Sequence, residues 1–231
     1  MNYSRPFITE RFIAYAADSF GHRLSLAVGV ADEFTQDPVA APLRVALKEL
    51  PRVAAIKSLS GFFCFEDVVD GTYTLVVEPD AHQAPWFFLR PREGEPWSDS
   101  FERSIVLPLQ TSPPTLPLEP VALAPNPSYP FPKNATLVRG LLISSISGEG
   151  LPGAVVSSTY NEVDPTDPDE TVAVEVEIIT DKCGEFVLFF RKLPARTQTI
   201  VITATKNGDQ VQDEIEILEG ATTNLTLPPL P

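Results

Sequence analysis

Ser60-Gly-Phe-Phe-Cys-Phe-Glu-Asp-Val-Val-Asp-Gly-Thr-Tyr-Thr-Leu-Val-Val77 decides the fold. A glycine turn opens a strand with Phe63 and Phe65 on one face and Phe62 and Cys64 on the other. Asp70-Gly71 then turns the chain into a second strand over residues 72–77. The pattern returns at Cys183-Gly-Glu-Phe-Val-Leu-Phe-Phe190, followed by Thr199-Ile-Val-Ile-Thr-Ala204. Gly61 matches Gly184, Phe63 matches Phe186 and Phe65 matches Leu188. One β-unit therefore occurs twice.

The composition agrees. A chain of 231 residues, 43% of them hydrophobic, has length and core material for two β-domains. Its 24 prolines and 14 phenylalanines, against one methionine, favour strands over helices. Residues 11–109 read as the first sandwich, after an N-terminal arm of residues 1–10. Strands are expected at 12–16, 23–30, 43–50 and 101–107, and residues 54–58 lead into the glycine turn. Nine prolines fall between Pro108 and Pro132, so residues 110–134 read as an extended connector. Within it Leu116–Leu123 still alternates, as an edge of the first domain would, and Tyr129 and Phe131 are expected to pack. Residues 135–231 form the second sandwich. Thr171-Val-Ala-Val-Glu-Val-Glu-Ile-Ile-Thr180 alternates strictly, with Glu175 and Glu177 on the outer face, and Asn207-Gly208 signals a type I′ hairpin.

The net charge is −14, divided as −6 over residues 1–124 and −8 over the rest. Neither half has a basic patch, which argues against nucleic acid and anionic membrane surfaces as partners. No run approaches the ~18 apolar residues of a spanning helix. Met1–Glu10 does not read as a signal peptide, and two cysteines, Cys64 and Cys183, are too few for a disulfide framework. The expected location is the cytoplasm, or a particle assembled there.

Sites of chemistry are sparse. The two histidines, His22 and His82, lie in predicted loops without a nucleophile motif beside them. Cys183 sits in a turn next to Lys182, but residues 135–231 contain no histidine to serve as base. Asp164-Pro-Thr-Asp-Pro-Asp-Glu170 offers four carboxylates, a weak Ca²⁺ candidate at Asp164, Asp167, Asp169 and Glu170. It lacks the Asp-x-Asp-x-Asp-Gly spacing of a calcium loop, and a solvated hairpin tip is the plainer reading. No catalytic residue and no cofactor are assigned. Trp86, Phe87, Phe88, Trp97 and Phe101 form the best candidate contact surface, for protein subunits or, alternatively, for a glycan.

The second half resembles the carboxypeptidase regulatory-like domains, transthyretin-like β-sandwiches. The resemblance rests on Val138-Arg-Gly140, Leu151-Pro-Gly-Ala-Val155, Thr180-Asp-Lys-Cys-Gly-Glu-Phe186, Ile200-Val-Ile-Thr-Ala204 and residues 215–227, in that order. The first half is similar mainly over residues 59–77 and departs at residues 84–99. The resemblance implies an all-β protein, two tandem Greek-key sandwiches joined by the proline-rich connector. It implies no catalytic residue. The tandem arrangement is also similar to small accessory proteins of phage-tail-like contractile injection particles. The expected function is a non-enzymatic structural or adaptor role by protein–protein contact. The alternative is a carbohydrate-binding or adhesion module.

Overall fold

The computed structural model describes residues 14–15, 18–19, 22–39, 42–79, 86–97, 101–108, 118–164, 166–167 and 169–231. The N-terminal arm, His82 and residues 110–117 of the expected connector lie outside them. The described residues are all-β. The chain groups into two compact units: Met1–Gln83 with Ser100–Leu123, and Ala84–Asp99 with Ala124–Pro231.

In chain order the first strands are β1 (Ala14–Tyr15), β2 (Asp18–Ser19), β3 (Leu24–Asp32), β4 (Leu43–Leu47), β5 (Ile56–Lys57), β6 (Phe63–Glu66) and β7 (Gly71–Pro79). Next come β8 (Phe87–Leu89), β9 (Glu102–Leu107), β10 (Leu118–Pro125), β11 (Thr136–Leu141) and β12 (Val155–Val163). The last are β13 (Thr171–Ile179), β14 (Glu185–Phe190), β15 (Thr197–Lys206), β16 (Asp209–Leu218) and β17 (Thr222–Thr226).

In the first unit β5, β6, β3 and β10 lie side by side in that order, and β4, β7 and β9 make a second sheet. In the second unit the sheets are β14-β11-β17 and β13-β12-β15-β16. The repeat seen in the sequence is a repeated topology. The opening strand, β3 or β11, runs antiparallel to β6 or β14 and parallel to β10 or β17. The next strand, β4 or β12, runs antiparallel to β7 or β15, which pairs with β9 or β16.

Period-two alternation fills both interiors. β9 has the pattern exposed–buried throughout, and Leu26, Leu47, Phe65 and Leu75 are fully buried in the first unit. Val138, Leu142, Val156 and Ile202 play this part in the second. Burying one such side chain stabilises by about 1.5–3 kcal/mol as an upper figure. Gly61 and Gly184, the turn glycines matched by sequence, both have positive φ, +86° and +78°. Asn207 and Gly208 also have positive φ and join β15 to β16, as a type I′ turn requires.

Three details depart from the sequence-based boundaries. Residues 118–125, inside the expected connector, form strand β10, whose residues Leu118–Leu123 pair in parallel with Ala27–Asp32. Glu119, Val121 and Leu123 face inward, so alternation prevails over proline density there. The strand expected over residues 43–50 stops at Leu47, because the Leu50 N–H turns back to the Leu47 carbonyl and Pro51 follows. Finally, Ala84–Asp99, read with the first domain, groups with the second unit.

Candidate functional site

The aromatic stretch and the Tyr-Pro-Phe-Pro segment meet in the second unit. The Asn126 N–H donates to the Trp86 carbonyl at 2.8 Å. Phe87 is 4% exposed, and its ring meets Tyr129 edge-on at 5.3 Å. Tyr129 in turn lies 4.6 Å from Phe131. The Arg139 guanidinium sits 5.5 Å from the Phe131 centroid and donates to the Pro127 carbonyl at 2.6 Å. Phe88 and Trp97, both half-buried, pack against the core of the second unit. The Trp97 indole N–H donates to Glu177 on β13, and Arg90 lies 4.5 Å over the ring. Phe101 is separate: it belongs to the first unit, half-buried, with its carbonyl accepting from the Val77 N–H at 2.9 Å. The five residues predicted as one surface thus divide between two units. Trp86 is half-buried as well. An indole pressed between a guanidinium and a core is a poor stacking platform for a sugar.

The acidic cluster builds a turn. Asp164 Oδ1 accepts from the Thr166 N–H and hydroxyl, both at 2.6 Å, and from the Asp167 N–H at 3.3 Å. The Thr166 hydroxyl foremost holds the Asp164 carboxyl below the usual aspartate range. Asp167 Oδ1 accepts from the Asp169 N–H, and the Glu170 N–H donates to the Asp167 carbonyl. Among the described residues no three His, Cys, Asp or Glu side chains converge as a metal set.

His22 and the turn that carries Cys183 are held by carboxylates. Cys183 is exposed in a turn held by Asp181, whose Oδ1 accepts from the Cys183 and Glu185 N–H groups at 2.8 and 2.9 Å. Cys64 is half-buried, and burial, helped by Glu66, pushes its thiol up. His22 Nδ1 lies 2.5 Å from Asp67 Oδ2, while Asp67 Oδ1 accepts from the Arg23 N–H at 2.9 Å. That backbone bond foremost, and then His22, keeps the Asp67 carboxyl low. Sequence reading missed the pair, since the two residues stand 45 apart with no motif linking them. The nearby hydroxyls of Ser25 and Tyr73 donate to the Val68 and Val69 carbonyls.

A surface the sequence did not flag lies in the first unit. A groove of about 530 Å³ runs along β4 and is lined by Val45, Leu47, Val53, Ala54, Ala55 and Phe63 among others. β4 is the outer strand of its sheet.

No protein-family model matches the chain, and no curated protein matches it. Solved structures similar to it include the Bacillus anthracis TIE protein, at 15% identity and TM-score 0.28, over 92% of this chain and 35% of that one. The shaft pilin SpaA of Lactobacillus rhamnosus GG is similar at 10% identity and TM-score 0.30, over 90% of this chain and 96% of the pilin. GBS52, the minor pilin of Streptococcus agalactiae, is similar at 12% identity and TM-score 0.28, over 89% and 95%. The chain spans about a third of the TIE protein's length. Identities and scores this low do not extend those proteins' roles to this chain.

Proposed function

We propose that this chain is a non-enzymatic scaffold, two tandem sandwiches acting by protein contact as one subunit of a larger assembly. One observation carries the reading: among the described residues, the loops that sequence marked as reactive are held by carboxylates that bind their own backbone. Asp164 and Asp181 hold loop amides, and Asp67 holds His22 and a backbone N–H. Catalysis needs a nucleophile and base free to meet a substrate, whereas a scaffold needs stiff domains and open edges. Membership of the carboxypeptidase regulatory-like domains, and a place in a phage-tail-like contractile particle assembled in the cytoplasm, are the finer form of this proposal. They rest on sequence resemblance.

Size fractionation of native lysate tests it. The expected result is co-migration with a particle far larger than one chain, whose other proteins then name the assembly. Migration as a single chain at every protein concentration would sink the scaffold reading.

A further inference from the structure

The two sheets of the first unit turn unlike faces outward. On the sheet of β4, β7 and β9 the outward positions include Arg44, Lys48, Glu78 and Glu102, which meet in pairs, as a face in water should. The sheet of β5, β6, β3 and β10 differs. One row across its outer face is Ile56, Cys64, Ala27 and Leu118, each opposite the next in the ladder. Beside that row stand Phe62 and Pro120, exposed like Ile56 and Leu118. None of the six carries a charge. Phe62 and Leu118 close over Gly29, where a Cβ would come within 3.0 Å of the one and 3.6 Å of the other.

The size of this face selects its cover. Three ladder spacings across, and β3 from Ser25 to Ala31 along it, give roughly 15 Å by 20 Å, or about 300 Å². A stable contact with a second copy takes about 800 Å² from each partner. One extended segment of about six residues, some 20 Å long, matches the face instead.

The chain has such a segment leading into β3. Residues 1–13 contain Tyr3, Phe7, Ile8, Phe12 and Ile13, with Glu10 their one carboxylate. In the β1–β2 hairpin Ala14 stands opposite Ser19, and Tyr15 opposite Asp18. Followed backwards from Ala14, the chain therefore heads the way it goes forwards from Ser19 into β3. Extended at about 3.3 Å per residue, residues 1–13 reach about 43 Å, of which about 17 Å is used in coming level with Leu24. The remaining 26 Å or so exceeds the length of the face. A segment running along β3 finds both ladder edges taken, by β6 over Leu24–Val28 and by β10 over Ala27–Asp32. The inner side is closed by Leu26, Val28 and Val30, all buried. The outer face is what is left.

We infer that residues 1–13 are an intramolecular cover, the stretch around Phe7 and Ile8 lying along β3 on the apolar outer face, over Ala27, Gly29, Cys64 and Leu118. Tethering puts the arm at this face at an effective concentration on the millimolar scale, ahead of any second copy. The inference goes beyond the scaffold reading and holds whether the chain travels alone or in a particle.

Cys64, half-buried within the face, reports the cover, and Cys183, exposed in the second unit, is the control. A maleimide is added to the full chain and to the chain carrying Phe7→Asp and Ile8→Asp. Cys64 should react about tenfold or more faster in the variant, since two apolar anchors are lost, and Cys183 at one rate in both. Separately, Phe7→Cys combined with Cys183→Ser is oxidised in dilute solution. A disulfide to Cys64 within one chain is expected, read as a single chain whose gel mobility changes on reduction. Equal Cys64 rates in the first pair overturn the proposal. So does a disulfide that forms only between two chains, which gives the face to a second copy's arm, and so does the lack of any. If the double Asp variant loses its thermal transition, the disulfide alone decides.

Discussion

Arg103 and Glu119 are the charged pair inside the first sandwich, with side chains 6% and 7% exposed and 3.2 Å apart. Arg103 also donates to the Pro120 carbonyl. Removing one charge from such a pair leaves the other stranded at a cost of about 3–5 kcal/mol, whereas replacing both with apolar groups is close to neutral. Glu119→Gln should therefore lower the urea midpoint sharply, and Arg103→Met with Glu119→Leu should restore most of it. Equal losses from the single and double variants would mean that packing, not charge, is at stake. Tyr160 makes the corresponding case in the second unit. It is 2% exposed, donates to Glu162 at 2.8 Å and accepts from the Arg191 N–H at 3.1 Å. Burial foremost, with Glu162 adding to it, raises its pKa from 10.0 to about 12. The folded state thus holds this proton more tightly than the unfolded one. The stabilisation is complete below pH 10 and is lost as pH rises through about 12. Tyr160→Phe should cost about 1–2 kcal/mol at neutral pH but show a shallower decline between pH 10 and 12 in thermal melts. Parallel declines would place the alkaline titration elsewhere.

At the scale of elements, the turn before β14 depends on one glycine. A Cβ added to Gly184 would stand 2.5 Å from the Leu142 carbonyl oxygen, on a backbone with φ +78°. The obstacle is backbone on both counts and cannot swing aside. Gly184→Ala should cost at least about 2 kcal/mol, measured as a lower urea midpoint. A change under half of that would show the turn to be pliable. This turn was legible because Gly and a following aromatic strand recur locally in both units. Strands β3, β6, β7, β9 and β13–β16 were legible for the same reason, since period-two alternation and turn residues act over a few positions. Long-range pairing left no local mark. Trp97 meets Glu177 across 80 residues, and nothing around Trp97 names that partner. Phe87 finds Tyr129 in the same way. Residues 84–99 read as irregular because prolines flank them, although β8 lies within. That no described strand flanks β4 on its outer side becomes visible only when the two repeats are laid side by side and the described residues of one show no β13 counterpart.

For the whole molecule, electrostatics sets two opposing effects of salt against each other. A net charge of −14 repels itself in the compact state. Exposed pairs such as Arg44–Glu78, Lys48–Glu102 and Arg23–Asp70 pull the other way. Each such pair is worth about 0–1 kcal/mol and is itself screened. With 31 acidic against 17 basic residues, at least 14 carboxylates have no cation to pair with, so repulsion is the larger sum. Going from about 0.01 M to 0.1 M salt shortens the screening length from about 30 Å to 10 Å, which quiets repulsion across the molecule before it weakens contacts at 3–4 Å. The melting temperature should therefore rise with sodium chloride over this range. A fall would mean that the ion pairs outweigh the net charge. The rise should shrink as pH is lowered towards the pI near 4.5, where the charge causing it is being titrated away. Asp67 and Asp164, held low by their hydrogen bonds, should keep their charge below that point and be among the last carboxyls to titrate in an NMR pH series. Titration of either ahead of the bulk carboxyls would contradict the turn geometry that ties each to backbone N–H groups.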